Sequence, residues 1–199
     1  MRGIIVFKHY IRNEVITVNT CDKKPSSVLW ITTTAIFIAI LVLVQFLTSQ
    51  FGTTLITGSL VNMLLIISAM TCGMHTGLTV AVFSPVLAKL IGIGPFWTII
   101  PFIIIGNLVL VMIWFKIGNS EKPNRVAAWV IALIAAAVSK FLIIFLGVTK
   151  LTIPIILGIP KAQADIMSTA FSLPQLFTAC IGGLIAIIML PTIKKVIHL

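Results

Sequence analysis

Five polar side chains stand within or beside long apolar stretches: Asn62, Lys89, Asn107, Lys140 and Gln175. Amides and ammonium groups of this kind can hold a small ligand, and the two lysines would suit a carboxylate or phosphate on it. Lys140 is the most telling. It is the one charge in residues 126–148, VAAWVIALIAAAVSKFLIIFLGV, a segment long enough to cross a bilayer. An ionisable group at membrane depth costs about 2.5–3.5 kcal/mol on insertion scales, so it ordinarily faces a bundle interior or a wet cavity. The competing reading is a lysine that snorkels to the headgroups. The expected helix end lies roughly 10 Å away along the axis at 1.5 Å per residue, which favours an inward, ligand-facing ammonium. For Asn62, Asn107 and Gln175 the competing reading is a hydrogen bond between helices that only holds the bundle. His75, in a short turn, is read as a surface residue.

The elements that must carry these groups are membrane helices. The 199 residues are 59% hydrophobic and 9% charged, with mean hydropathy +1.20. Soluble domains carry about 25% charged residues. The apolar runs reach spanning-helix length and lack the ten-residue alternation of a membrane β-barrel. The expected fold class is an all-α integral membrane protein, a bundle of six transmembrane helices. The spans fall at residues 30–47, 55–72, 78–90, 96–115, 126–148 and 171–190. The third is short, and Pro85 is expected to kink it. Residues 149–170 form a longer link, apolar in its first half, expected to fold back over the bundle as a lid. Three regions follow: an N-terminal tail (1–29), the membrane domain (30–195) and a C-terminal tail (196–199).

Charge placement orients the bundle. The net charge of +10 invites a nucleic-acid partner, yet the cations sit where membrane insertion puts them. Five lie in the first 29 residues, three in residues 116–125 and two at Lys194 and Lys195. Lys89, Lys150 and Lys161 fall on the opposite side. The positive-inside rule then sets both termini in the cytoplasm. With that orientation, Asn62, Lys89, Lys140 and Gln175 gather toward the outer leaflet and Asn107 lies near mid-depth. A lipid bilayer, and no nucleic acid, is the expected environment.

All four acids (Glu14, Asp22, Glu121, Asp165) lie in tails or links. Ion-driven carriers generally need a carboxylate or broken-helix ion site at depth. No GxxxxGK[ST] phosphate loop, HExxH metal motif or GxSxG nucleophile turn occurs. Cys21, Cys72 and Cys180 have no CxxC spacing and are read as free thiols. Neither an enzyme, a cofactor nor a metal site is expected. The chain has groups to bind something outside and no evident means to energise its uptake.

Four segments carry a family resemblance: Gly58-Ser-Leu-Val-Asn62; Ser84-Pro-Val-Leu-Ala88 leading to Gly92-Ile-Gly-Pro95; Gly106-Asn-Leu-Val-Leu110; and Phe171-Ser-Leu-Pro-Gln175. With six spans and cytoplasmic termini, the chain resembles the substrate-binding S component of energy-coupling factor (ECF) vitamin transporters. The resemblance implies high-affinity capture of a vitamin or related micronutrient beneath closing outer loops. It also implies docking on an ECF transmembrane coupling protein that carries two ATPase subunits, with toppling to release the ligand inside. It gives the pair Ala35 and Ala39, an AxxxA on the first span, the role of docking surface. Gly182, Gly183 and Ala186 either extend that surface or pack internally. The lysines favour an anionic vitamin such as pantothenate; the resemblance does not separate it from cobalamin, folate, riboflavin or thiamin. The alternative is a non-transporting membrane scaffold, which expects no cavity beneath residues 149–170.

Overall fold

The structure is a computed structural model that describes residues 27–52, 54–119 and 125–197. The expected tail 1–29 lies almost wholly outside the described residues, as does half of the polar loop 116–125. The described chain is mostly helical: α1 (Ser27–Ser49), α2 (Thr54–Cys72), α3 (Met74–Leu90), α4 (Ile100–Gly118), α5 (Arg125–Ile144), α6 (Lys161–Ala170) and α7 (Leu173–Ile197). Five stretches are long and apolar enough to cross a membrane. The helix α3 is shorter, at 17 residues, about 26 Å at 1.5 Å per residue against a hydrocarbon core of roughly 30 Å. It begins at Met74 rather than near residue 78, because Gly73 turns at φ 95° and lets α3 start at once after α2.

The helices are poorly separated into polar and apolar sides, as suits a bundle in lipid. Large side chains such as Leu43, Ile134, Phe177 and Ile188 are exposed on several helices, a surface that water would disfavour and hydrocarbon accepts. The inward face of α5 is built mainly of small residues. On α5, Ala128, Ala132, Ala136 and Lys140 recur every fourth position, and all are buried. That spacing is one helix face, so Lys140 lies on the inward stripe.

Two corrections concern residues 145–170. The fifth helix does not end near residue 148. It runs on from Phe145 to Leu157 with π-helical geometry, and the Thr152 hydroxyl donates to the Gly147 carbonyl at 2.7 Å, five residues back. A widened turn accommodates Pro154, which lacks an N–H and crowds the carbonyl four residues earlier. Gly147 is required there for packing, since a Cβ would sit 2.1 Å from the Phe102 ring. The segment ends at Gly158, φ 54°. Beyond it the link is a helix, α6, none of whose residues is fully buried.

Gly182, Gly183 and Ala186 pack internally and so do not extend an outer docking face. A Cβ on Gly182 would lie 2.4 Å from the Ser59 carbonyl oxygen and 3.0 Å from the Met63 nitrogen; one on Gly183 would lie 2.2 Å from Leu133 Cδ1. Ala186 is fully buried. Because Gly182 meets backbone, Gly182→Ala must part α2 from α7. Overpacking of this kind costs about 1–3 kcal/mol. Gly118→Ala meets side chains alone, the flexible Met70 at 3.2 Å and the Trp114 ring at 3.4 Å, and is expected to cost less. Thermal unfolding of the two variants in detergent checks the order.

Candidate functional site

Three of the five polar residues come together. The Lys140 ammonium donates to Asn62 Oδ1 at 2.5 Å and to Asn107 Oδ1 at 2.6 Å, which ties α5 to α2 and α4. All three are enclosed, with exposures of 4% for Lys140 and 1% for each asparagine. The Asn62 amide in turn donates to Thr178 Oγ1 at 3.4 Å, and that hydroxyl donates to the Gln175 carbonyl at 3.0 Å. The network thereby reaches α7. Thr178 gave no signal in the sequence beyond standing one turn after Gln175.

The glycines of the quoted segments make this convergence possible. Gly106 precedes Asn107, and a Cβ on it would lie 3.3 Å from the Lys140 and Ile144 side chains. Gly58 stands one turn before Asn62, and a Cβ on it would lie 2.8 Å from Thr178 Cγ2. Small residues at helix crossings let backbones approach closely. Here they bring the polar groups within bonding distance.

Gln175 and Lys89 are placed elsewhere. The Gln175 amide donates to the Ala170 carbonyl at 3.3 Å and fixes the link between α6 and α7. Lys89 lies half-buried in the last turn of α3. It lines a cleft of about 450 Å³ at the end of the bundle where α1, α3 and α5 finish and α2, α4 and α7 begin. α1 begins and α7 ends at the opposite end. Thr54 starts the cleft wall on α2, and Gly94, Pro95 and Phe96 continue it from the link after α3. Ile166, Met167 and Ala170 of α6, with Phe171, close the other side. Asn62, Asn107, Lys140 and Gln175 do not line it.

Lys89 is not occupied in ending its helix. Gly92 takes up φ 83°, so that the Ile93 N–H donates to the Ala88 carbonyl and the Gly92 N–H to the Lys89 carbonyl. This backbone pattern satisfies the last carbonyls of α3 without help from a side chain.

Of the cleft's other residues, Pro95 and Phe171 lie in the segments quoted above, whereas Ile166 and Met167 were visible only as part of a lid-like link. Ala35 and Ala39 are both exposed on α1, whose inward positions are Thr34, Leu41 and Thr48.

A family model described as "ECF transporter, substrate-specific component" matches residues 30–194. The chain belongs to the ECF transporter substrate-specific component family. Among curated proteins and solved structures, no match to it was found. Its membership makes the chain a transport-related, substrate-binding membrane subunit. It also implies a small-molecule substrate and association with ECF coupling and ATPase modules.

Proposed function

We propose that this S component captures a vitamin or related micronutrient with high affinity from outside a prokaryotic cell, in the cleft between α6 and the link after α3. In this reading six helices cross the membrane with both termini in the cytoplasm, since ten of the 14 Lys and Arg fall in residues 1–29, 116–125 and 194–195 of the sequence. Lys89 meets the substrate directly. Asn62, Asn107, Lys140 and Gln175 fix the helices that frame the cleft, and Ala35 and Ala39 offer the face on which the coupling protein docks.

The observation that carries the proposal is the cleft itself. Its volume of about 450 Å³ falls within the roughly 300–1,000 Å³ of small-molecule sites. Its walls are apolar apart from Thr54 and Lys89, the composition that such sites share. A scaffold without a ligand expects no cleft beneath α6, so the cleft favours capture.

Reconstitution tests the division of labour. Vesicles holding this chain with the coupling protein and two ATPase subunits are expected to accumulate the ligand that co-purifies with the chain, and only with ATP. Accumulation by this chain alone, driven by an ion gradient, would overturn the proposal.

A further inference from the structure

We infer that residues 145–157 carry the lipid-facing side of α5 past the thickness of a bilayer, so that acyl chains grip this flank along a greater length than the flank at α3 and the chain leans in the membrane. The outward row of α5 is Val126, Val130, Ile134, Val138, Leu142 and Leu146, each large, apolar and at least 42% exposed. A step of four residues keeps to one helix face. Through the π-helical turns the step lengthens to five and brings the row to Leu151 and Ile156, which are 44% and 53% exposed. That change is expected where the backbone bonds reach five residues back instead of four. The inward row keeps pace: Ile144, Val148 and Ile153 are buried and pack with Ile99. The two sides of the helix therefore stay distinct to its end, and the side that faces lipid along α5 remains apolar beyond it.

Length decides the consequence. From Val126 to Leu146 the row rises about 30 Å at 1.5 Å per residue, which already equals the hydrocarbon core of a typical bilayer, roughly 30 Å. Ten further residues carry it to Ile156. On the other flank α3 has only 17 residues and spans about 26 Å. Between them α4 packs against both α3 and α5. A hydrophobic stretch too long for its bilayer tilts or locally thickens it, and one too short thins it.

An upright chain would hold Leu151, Ile155 and Ile156 in headgroups or water, with Ile155 71% exposed. Leaning lowers them into hydrocarbon, where the removal of apolar surface from water is favourable. Lys150 permits this. A lysine stem reaches headgroups from within the apolar layer, and the Lys150 ammonium rests over the Phe145 ring, 5.4 Å from its centre.

The test uses the full chain with Cys21, Cys72 and Cys180 changed to serine, in nanodiscs of phosphatidylcholine with 18-carbon monounsaturated chains. A nitroxide is placed at Ile156→Cys, with Leu142→Cys as the hydrocarbon reference and Ile166→Cys as the aqueous one. Collisions with oxygen and with a water-soluble nickel chelate report its surroundings. The oxygen-to-nickel ratio at 156 should lie within about threefold of that at 142 and at least about tenfold above that at 166. A ratio equal to that at 166 would place the segment in water and overturn the inference. Shielding from both reagents, or broadening by a label on a second copy, would show protein covering it and overturn it equally. The lean is read by polarised infrared spectroscopy of the helices in the same lipid. Leu151→Ser, Ile155→Ser and Ile156→Ser together should bring the helices upright by about 10° with unchanged helicity, since the flank loses its excess apolar length. An unchanged tilt would overturn the lean.

Discussion

Lys140→Ala is expected to lower the stability of the chain by about 2 kcal/mol or more, measured as detergent-resistant helicity against temperature. Two buried amide oxygens lose their donor together. A buried acceptor left without a partner costs about 1–3 kcal/mol. Hydrogen bonds between membrane helices average nearer 0.6 kcal/mol, because the unfolded chain in lipid also finds partners. The larger figure applies here, since Asn62 and Asn107 are fully enclosed and truncation also empties the space that the lysine stem fills beside Gly106. The losses should not add. With Lys140 absent, Asn62→Ala and Asn107→Ala should each cost less than in the parent, because residues of one network share their energy. Additive losses would show that the three act separately. Ligand affinity should fall together with stability in Lys140→Ala, whereas Lys89→Ala should lose affinity alone.

Ala35→Trp is expected to abolish ATP-driven uptake, by at least tenfold, while ligand affinity stays within twofold of the parent. The site is exposed on α1 and lies on the face away from Thr34, Leu41 and Thr48, so a large side chain there meets no interior neighbour. A coupling helix seated on Ala35 and Ala39 would be forced off by several ångströms, since close helix approach depends on small residues. Paired measurements of binding on purified chain and uptake into vesicles read the two effects apart. Uptake that survives the tryptophan would move the docking face to another helix.

Much of this architecture was legible because membrane helices announce themselves by apolar length. Lys140 could be turned inward from sequence alone, since it stands roughly 10 Å from the expected end of its span; the structure adds that it continues the buried four-residue spacing of Ala128, Ala132 and Ala136. The acceptors were legible too, as amides rarely lie in apolar spans without a partner. Their pairing with that lysine was not, because it depends on how closely helices cross, and that is set by what Gly58, Gly106 and Gly182 meet on other helices. The course of residues 145–157 was hidden for a different reason. Pro154 argued against a continuing helix, and only the widened π geometry reconciles the two. The cleft was least visible. Its wall joins Thr54, Lys89, Phe96 and Met167 from distant parts of the chain, and apolar side chains facing a ligand read no differently from those facing lipid.

The most direct test of capture at the outer end is chemical access to the cleft in intact cells. In a chain freed of its own cysteines, Ile166→Cys places a thiol at a cleft-lining position that is 72% exposed. A membrane-impermeant maleimide should label it from outside, and the small molecule released from the purified chain should slow that labelling at least tenfold. Labelling that requires permeabilised cells, or that proceeds at the same rate with the molecule present, would contradict the account.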